Sequence, residues 1–142
     1  MSLSNAVTHI TVSNRCGNDT SLTVLDMSRF AYLRVFMVGD ECFKYVEELK
    51  LIGLNRLTRV VVGKNSFTRK DGGGNDPNRH FYLKNCPKIR ELMVGYYSFS
   101  DYGVLEVENC GLEVIEMGEY RDWSYSFYYS SLELKSILIH NE

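Results

Sequence analysis

The sequence predicts a mainly β, single-domain solenoid spanning residues 1–142, with about five coils and parallel β ladders on two sides. Three observations predict it: a short stretch recurs along the chain, a second apolar group recurs between its copies, and no long window shows helical spacing of apolar residues. The clearest copies are Leu33 to Phe43 (LRVFMVGDECF), Leu57 to Phe67 (LTRVVVGKNSF) and Ile89 to Phe99 (IRELMVGYYSF). Each places apolar residues at positions one, four and six, glycine at seven, Cys or Ser at ten and Phe at eleven. Two weaker copies start at Val7 (VTHITVSNRC, lacking the glycine and the Phe) and at Leu112 (LEVIEMG, with Ser126 and Phe127 displaced by an insertion). The starts at 7, 33, 57, 89 and 112 are 26, 24, 32 and 23 residues apart. A period in the twenties is the signature of stacked coils, each burying its neighbour's apolar side.

The first coil places Val7, Ile10 and Val12 inward, turns through NRCGNDT, and continues with Leu25, Met27 and Phe30. That second group returns as Leu49, Leu51 and Leu54, then Phe81, Leu83 and Cys86, then Leu105, Val107 and Cys110, and finally Leu132, Leu134 and Ile137. Each coil therefore carries two short extended segments. A tight hairpin cannot join parallel strands, so like segments stack coil on coil as two parallel ladders. Strand alternation sorts the faces of the first ladder. Phe36 and Val38, Val60 and Val62, Leu92 and Val94, and Ile115 and Met117 point inward, and positions three and five point out.

The glycines at position seven (Gly39, Gly63, Gly95, Gly118) fit a turn with positive φ or a close backbone approach. Phe43, Phe67 and Phe99 are expected in one file closing the apolar column. Arg69 to His80 and Tyr120 to Tyr125 are expected as loop insertions, in the third and fourth coils respectively, because the ladders continue on either side of them.

Composition narrows function. The charge balance, 16 basic against 18 acidic residues for a net −2, provides no electrostatic footprint for nucleic acid or an anionic membrane. No window approaches the roughly 18 apolar residues of a membrane span, and the N-terminus MSLSNAVTHITV lacks a signal-peptide pattern. Neither nucleic acid nor membrane insertion is expected, and an intracellular setting is favoured.

Cys16, Cys42, Cys86 and Cys110 have no zinc-ligand spacing. Cys16 and Cys42 share position ten, and Cys86 and Cys110 share a slot in the second segment, so each pair falls about one strand spacing, 4.8 Å, apart. A disulfide tolerates that separation, but the simpler expectation is free thiols in an apolar stack. Gly72 to Gly74 lack a P-loop's lysine and hydroxyl. Asp71, Asn75 and Asp76 lack calcium-loop spacing. His9, His80 and His140 share no slot with a nucleophile. No catalytic, cofactor or metal site is therefore expected.

The pattern LxxLxVGxxSF, followed by a segment of the LxLxNCPxL kind, resembles leucine-rich repeats, most closely the BspA-like class, from Val7 to Ile139. The resemblance implies a right-handed curved solenoid used for protein recognition, the hand agreeing with that of parallel crossovers. It departs from the pattern at position nine, where such repeats often carry asparagine. Here only Asn65 matches, with Arg15, Glu41, Tyr97 and Tyr120 in the other coils.

The outward rows of the first ladder are the candidate contact surface. Position three reads His9, Val35, Arg59, Glu91, Val114, and position five reads Thr11, Met37, Val61, Met93, Glu116. Met37, Val61 and Met93 form an apolar row with polar ends, next to an Arg59–Glu91 pair. An apolar row with a polar rim is suited to docking a protein. An aromatic cluster (Tyr96, Tyr97, Tyr102, Tyr120, Trp123, Tyr125, Tyr128 and Tyr129) extends it, because Tyr and Trp concentrate at interface hot spots. The predicted protein-binding set is Val35, Met37, Arg59, Val61, Glu91, Met93, Tyr96, Trp123 and Tyr125. A spacer or adhesin segment of a larger repeat protein is the alternative. Leu134, Ile137, Leu138 and Ile139 leave the C-terminal end without a polar cap, as in an excerpt of a longer array or an edge that self-associates.

Overall fold

The structure, a computed structural model, describes residues 6–69 and 76–118, together with the backbone of 131–135. Its strands in chain order are β1 (His9–Val12), β2 (Val24–Asp26), β3 (Val35–Val38), β4 (Glu48–Ile52), β5 (Arg59–Val62), β6 (Asp76–Cys86), β7 (Glu91–Val94), β8 (Tyr102–Cys110), β9 (Val114–Met117) and β10 (Ser131–Lys135). Among the described residues there is no helix. The odd strands form one parallel sheet, β1-β3-β5-β7-β9, and the even strands another, β2-β4-β6-β8-β10. The chain crosses from one sheet to the other at every step, which makes a β-solenoid of about four turns.

The register follows the repeat position by position. Ile10, Phe36, Val60, Leu92 and Ile115 align across the odd sheet, and Leu25, Leu49, Phe81, Leu105 and Leu132 across the even one. Slipping by one residue would turn every inward side chain outward. The column between the sheets holds Leu33, Leu57, Ile89, Leu49, Leu51, Leu54 and Leu83, all fully buried. Each such side chain contributes roughly 1.5–3 kcal/mol of hydrophobic free energy. Among the described strands β9 has a neighbour on one side only, and Ile115, expected inward, keeps 36% of its surface exposed.

The turn after each odd strand explains VGxxSF. Residues at position nine, Arg15, Glu41, Asn65 and Tyr97, all have left-handed φ of 56–66°, as do Phe43, Phe67 and Phe99 at 54–58°. Asparagine tolerates this backbone region better than most residues, which accounts for Asn65 without an asparagine ladder. The left-handed residues turn their amides along the stack. Phe67 N–H donates to the Cys42 carbonyl and Phe99 N–H to the Ser66 carbonyl, at 2.8 and 3.0 Å. Gly17 (φ 74°) takes the Phe position in the first coil, where a Cβ would strike the Phe43 ring at 2.4 Å.

The glycines at position seven serve close approach. A Cβ on Gly63 would lie 2.7 Å from the Gly39 carbonyl, and one on Gly95 would lie 2.5 Å from the Gly63 carbonyl. Gly118 is the exception, with a φ of 78°.

Position ten carries a buried hydroxyl ladder. Cys42 N–H donates to Ser66 Oγ (3.0 Å), which donates to the Gly39 carbonyl (2.8 Å), and Ser66 N–H donates to Ser98 Oγ (3.0 Å), which donates to the Gly63 carbonyl. The Cys42 thiol takes the same place one coil earlier, directed at the Ser13 carbonyl at 3.1 Å.

One expectation needs correction. The insertion in the third coil was expected to run as loop to His80, but Asp76 to His80 extend β6, with Asp76 in register with Tyr102 of β8. Arg79 within this extension is buried. Its Nη1 donates to Asp101 Oδ2 at 3.0 Å, its Nη2 donates to the Lys44 and Val46 carbonyls at 3.1 and 3.0 Å, and its guanidinium lies 5.0 Å from the Tyr102 ring centroid. The carboxylate and two carbonyls compensate a charge that could not otherwise leave water.

Candidate protein-interaction face

The outer face of the odd sheet is set by strand alternation, since burying Phe36 and Val38, Val60 and Val62, and Leu92 and Val94 turns the residues between them outward. The pairing aligns Thr11, Met37, Val61, Met93 and Glu116 in one row and His9, Val35, Arg59, Glu91 and Val114 in the next. Met37 is 37% exposed, Val61 and Met93 are half-buried, and Thr11 and Glu116 at the row's ends are exposed. Six of the predicted residues, Val35, Met37, Arg59, Val61, Glu91 and Met93, thus share one surface.

Arg59 and Glu91 are in register and paired, Nε to Oε2, at 3.0 Å. Both side chains are 45% exposed, so the pair contributes about 0–1 kcal/mol to stability and acts chiefly to fix the position of the guanidinium. Arg59 Nη2 also reaches Met93 Sδ at 3.7 Å, joining the charged row to the apolar one. Tyr96 lies just past the end of β7, half-buried, with its ring edge-on to Tyr97 at 4.8 Å. Trp123 and Tyr125 fall outside the described residues. Tyr102 is core, fully buried, with its hydroxyl donating to the Val46 carbonyl. Burial pushes its phenol pKa up.

A feature the sequence did not indicate is a shallow recess of about 180 Å³ at the rim of this sheet, lined by Val62, Met93, Val94, Gly95, Glu116 and Gly118. Two glycines leave the space, and Met93 forms one wall. The sequence signal for it is the repeated glycine, which fits a turn or a close backbone approach equally.

The outer face of the even sheet is different. Lys84 Nζ pairs with Glu106 at 3.4 Å and Glu108 at 3.7 Å, and Lys50 pairs with Glu48 at 3.7 Å. The His80 and Tyr82 rings stack at 5.3 Å, with Lys84 Nζ 5.3 Å from the Tyr82 centroid. Burial, then the Glu106 and Glu48 carboxylates, push the Tyr82 phenol pKa up. Over β4, β6 and β8 this surface is laced with paired charges, with Val24 of the edge strand β2 exposed at 44%.

No protein-family model, curated protein or solved structure matches this chain.

Among the described residues no three His, Cys, Asp or Glu side chains converge as a metal-binding group, and no helix is long and apolar enough to cross a membrane. A polar recess of about 290 Å³ runs along the turns of the first three coils, where Arg15, Lys44 and Arg69 meet Glu41, Asn18, Asn65 and Thr68. Two of its three cations are already paired, Arg15 with Glu41 at 3.7 Å and Arg69 with Glu47 at 3.8 Å.

Proposed function

We propose that the protein is a non-catalytic protein–protein interaction scaffold of leucine-rich repeat type, nearest the BspA-like class, which docks a protein partner on the outer face of the odd sheet. One observation carries this reading: the two outer faces of one solenoid differ in kind. The even sheet neutralises its own charges across the ladder, whereas the odd sheet presents Met37, Val61 and Met93 in register beside an oriented Arg59–Glu91 pair. Met adapts to irregular partner surfaces, and an apolar centre with a charged margin combines affinity with orientation. Tyr96, just past the end of β7, extends the proposed surface, and Trp123 and Tyr125 of the predicted set lie outside the described residues.

The competing reading, a structural spacer or surface adhesin segment, draws on the open end strand β9, where Val114 and Ile115 are 42% and 36% exposed and fit end-to-end association. Affinity capture with the wild-type protein and with Met37→Asp and Met93→Asp separates the two readings. Both variants place a carboxylate at an outward position and should keep the wild-type circular dichroism, which is checked first. Loss of the captured protein in both supports docking on this face, and unchanged capture removes the face and leaves the spacer.

A further inference from the structure

We propose that Cys86 and Cys110 form a single dithiol site that closes to a disulfide by exchange with a small disulfide such as oxidised glutathione. The two residues are register partners at the ends of β6 and β8. Adjacent parallel strands run about 4.8 Å apart, inside the Cα separation of roughly 4.4–6.8 Å that a disulfide needs.

The two thiols also sit alike on their strands. Each is directed at one carbonyl of the preceding coil and one of its own strand, Cys86 at Leu51 and Lys84 (3.4 and 3.3 Å) and Cys110 at Leu83 and Glu108 (3.4 and 3.3 Å). All four cysteines are free thiols.

Access differs between the two. Cys86 is fully buried, whereas Cys110 is half-buried beside the exposed Asn85–Asn109 hydrogen bond of 2.9 Å. The neighbouring Cys86 thiol lowers the Cys110 pKa to about 7, while Cys110 and burial push Cys86 up. An attacking thiol works best when its pKa is near the ambient pH and solvent reaches it, which assigns attack to Cys110 and resolution to Cys86.

The Cys110 thiolate attacks one sulfur of the glutathione disulfide, forming a mixed disulfide and releasing one glutathione. Cys86 then loses its proton and attacks the Cys110 sulfur, forming the Cys86–Cys110 bond and releasing the second glutathione. Two protein thiols are oxidised, one glutathione disulfide is reduced, and both thiol protons leave on glutathione.

Cys16 and Cys42 share a repeat slot in the turns, outside the paired strands. The Cys42 thiol is directed at the Ser13 and Asp40 carbonyls at 3.1 and 3.4 Å, and exposed Cys16 only at Asn14 at 3.7 Å.

The test is incubation of the native full-length chain with oxidised glutathione, followed by thiol counting and peptide mass mapping. The expected product has lost two hydrogens and carries Cys86 and Cys110 peptides joined. Cys86→Ser should trap glutathione on Cys110, and Cys110→Ser should leave Cys86 unmodified. Phenylarsine oxide, which bridges adjacent thiols, should protect both residues from alkylation together. The proposal is overturned if both thiols stay free, if the bond formed joins Cys16 to Cys42, or if the two serine variants behave alike.

Discussion

The rings of Phe67 and Phe99 stack with centroids 4.6 Å apart and planes 7° from parallel, one strand spacing along the solenoid. Phe43 continues the file at 5.1 Å from Phe67, and Tyr102 closes edge-on against both Phe67 and Phe99. Phe67 therefore has aromatic contacts above, below and beside it. Phe67→Ala leaves a cavity that rings in both neighbouring coils border, and should cost about 3–5 kcal/mol in denaturant unfolding.

The position-ten ladder gives a sharper test, because it separates chemistry from volume. Ser98→Ala removes the oxygen that receives the Ser66 amide and the hydroxyl that serves the Gly63 carbonyl, both within a buried turn. Leaving buried backbone groups unpaired costs roughly 1–3 kcal/mol each. Ser98→Cys should cost less, since Cys42 already fills this slot with a thiol directed at the equivalent carbonyl. Equal losses in the two variants, measured by equilibrium unfolding, would contradict the ladder.

The fold was legible because its signal repeats. Coil starts, the alignment of like segments, the Phe file and the Arg59–Glu91 pair all follow from lining up three copies of one motif, in which each inward residue fixes its neighbours' facing. What the sequence hid is single-copy or conformational. Left-handed φ at Arg15, Glu41 and Tyr97 leaves no mark in residue type, and only Asn65 hints at it. Gly63 and Gly95 read equally as turn glycines or as close-approach glycines until the Gly39 and Gly63 carbonyls are placed against them. Arg79 occurs once, in a stretch whose glycines and charges look like loop, and its burial depends on Asp101, 22 residues away. The recess beside Met93 likewise depends on backbone approach. The shared placement of six residues on the outer face of the odd sheet was legible, and Trp123 and Tyr125 lie beyond the described residues.

Gly63→Ala should be strongly destabilising although alanine is small. The new methyl would meet the Gly39 backbone at 2.7 Å, and neither chain segment can move without disturbing the ladder. Overpacking of this kind costs roughly 1–3 kcal/mol or more. Gly53→Ala is the control for space: a Cβ there meets nothing within 4 Å, so its cost should be the smaller one set by its φ of 71°.

Arg79→Met should cost about 3–5 kcal/mol, because it leaves the Asp101 carboxylate buried without its cation. Adding Asp101→Leu should recover much of that loss, since a packed apolar pair often substitutes for a buried ion pair. A double-mutant cycle in urea measures the coupling, and additive single losses would show that the pair is not a unit.

Cys110 should alkylate with a pH profile set by its lowered pKa. Only the thiolate reacts, so the rate with iodoacetamide should rise as the pH climbs through about 7 and then level off. Cys86, whose pKa is pushed up, should stay unreactive over the same range.

The stacking of coils in register is tested most directly by proton NMR of the phenylalanine rings. The account predicts a continuous chain of nuclear Overhauser contacts, Phe43 to Phe67 to Phe99, with ring-current-shifted resonances for all three. Rings that show no mutual contacts, or Phe67 in contact with Phe99 but not with Phe43, would contradict it.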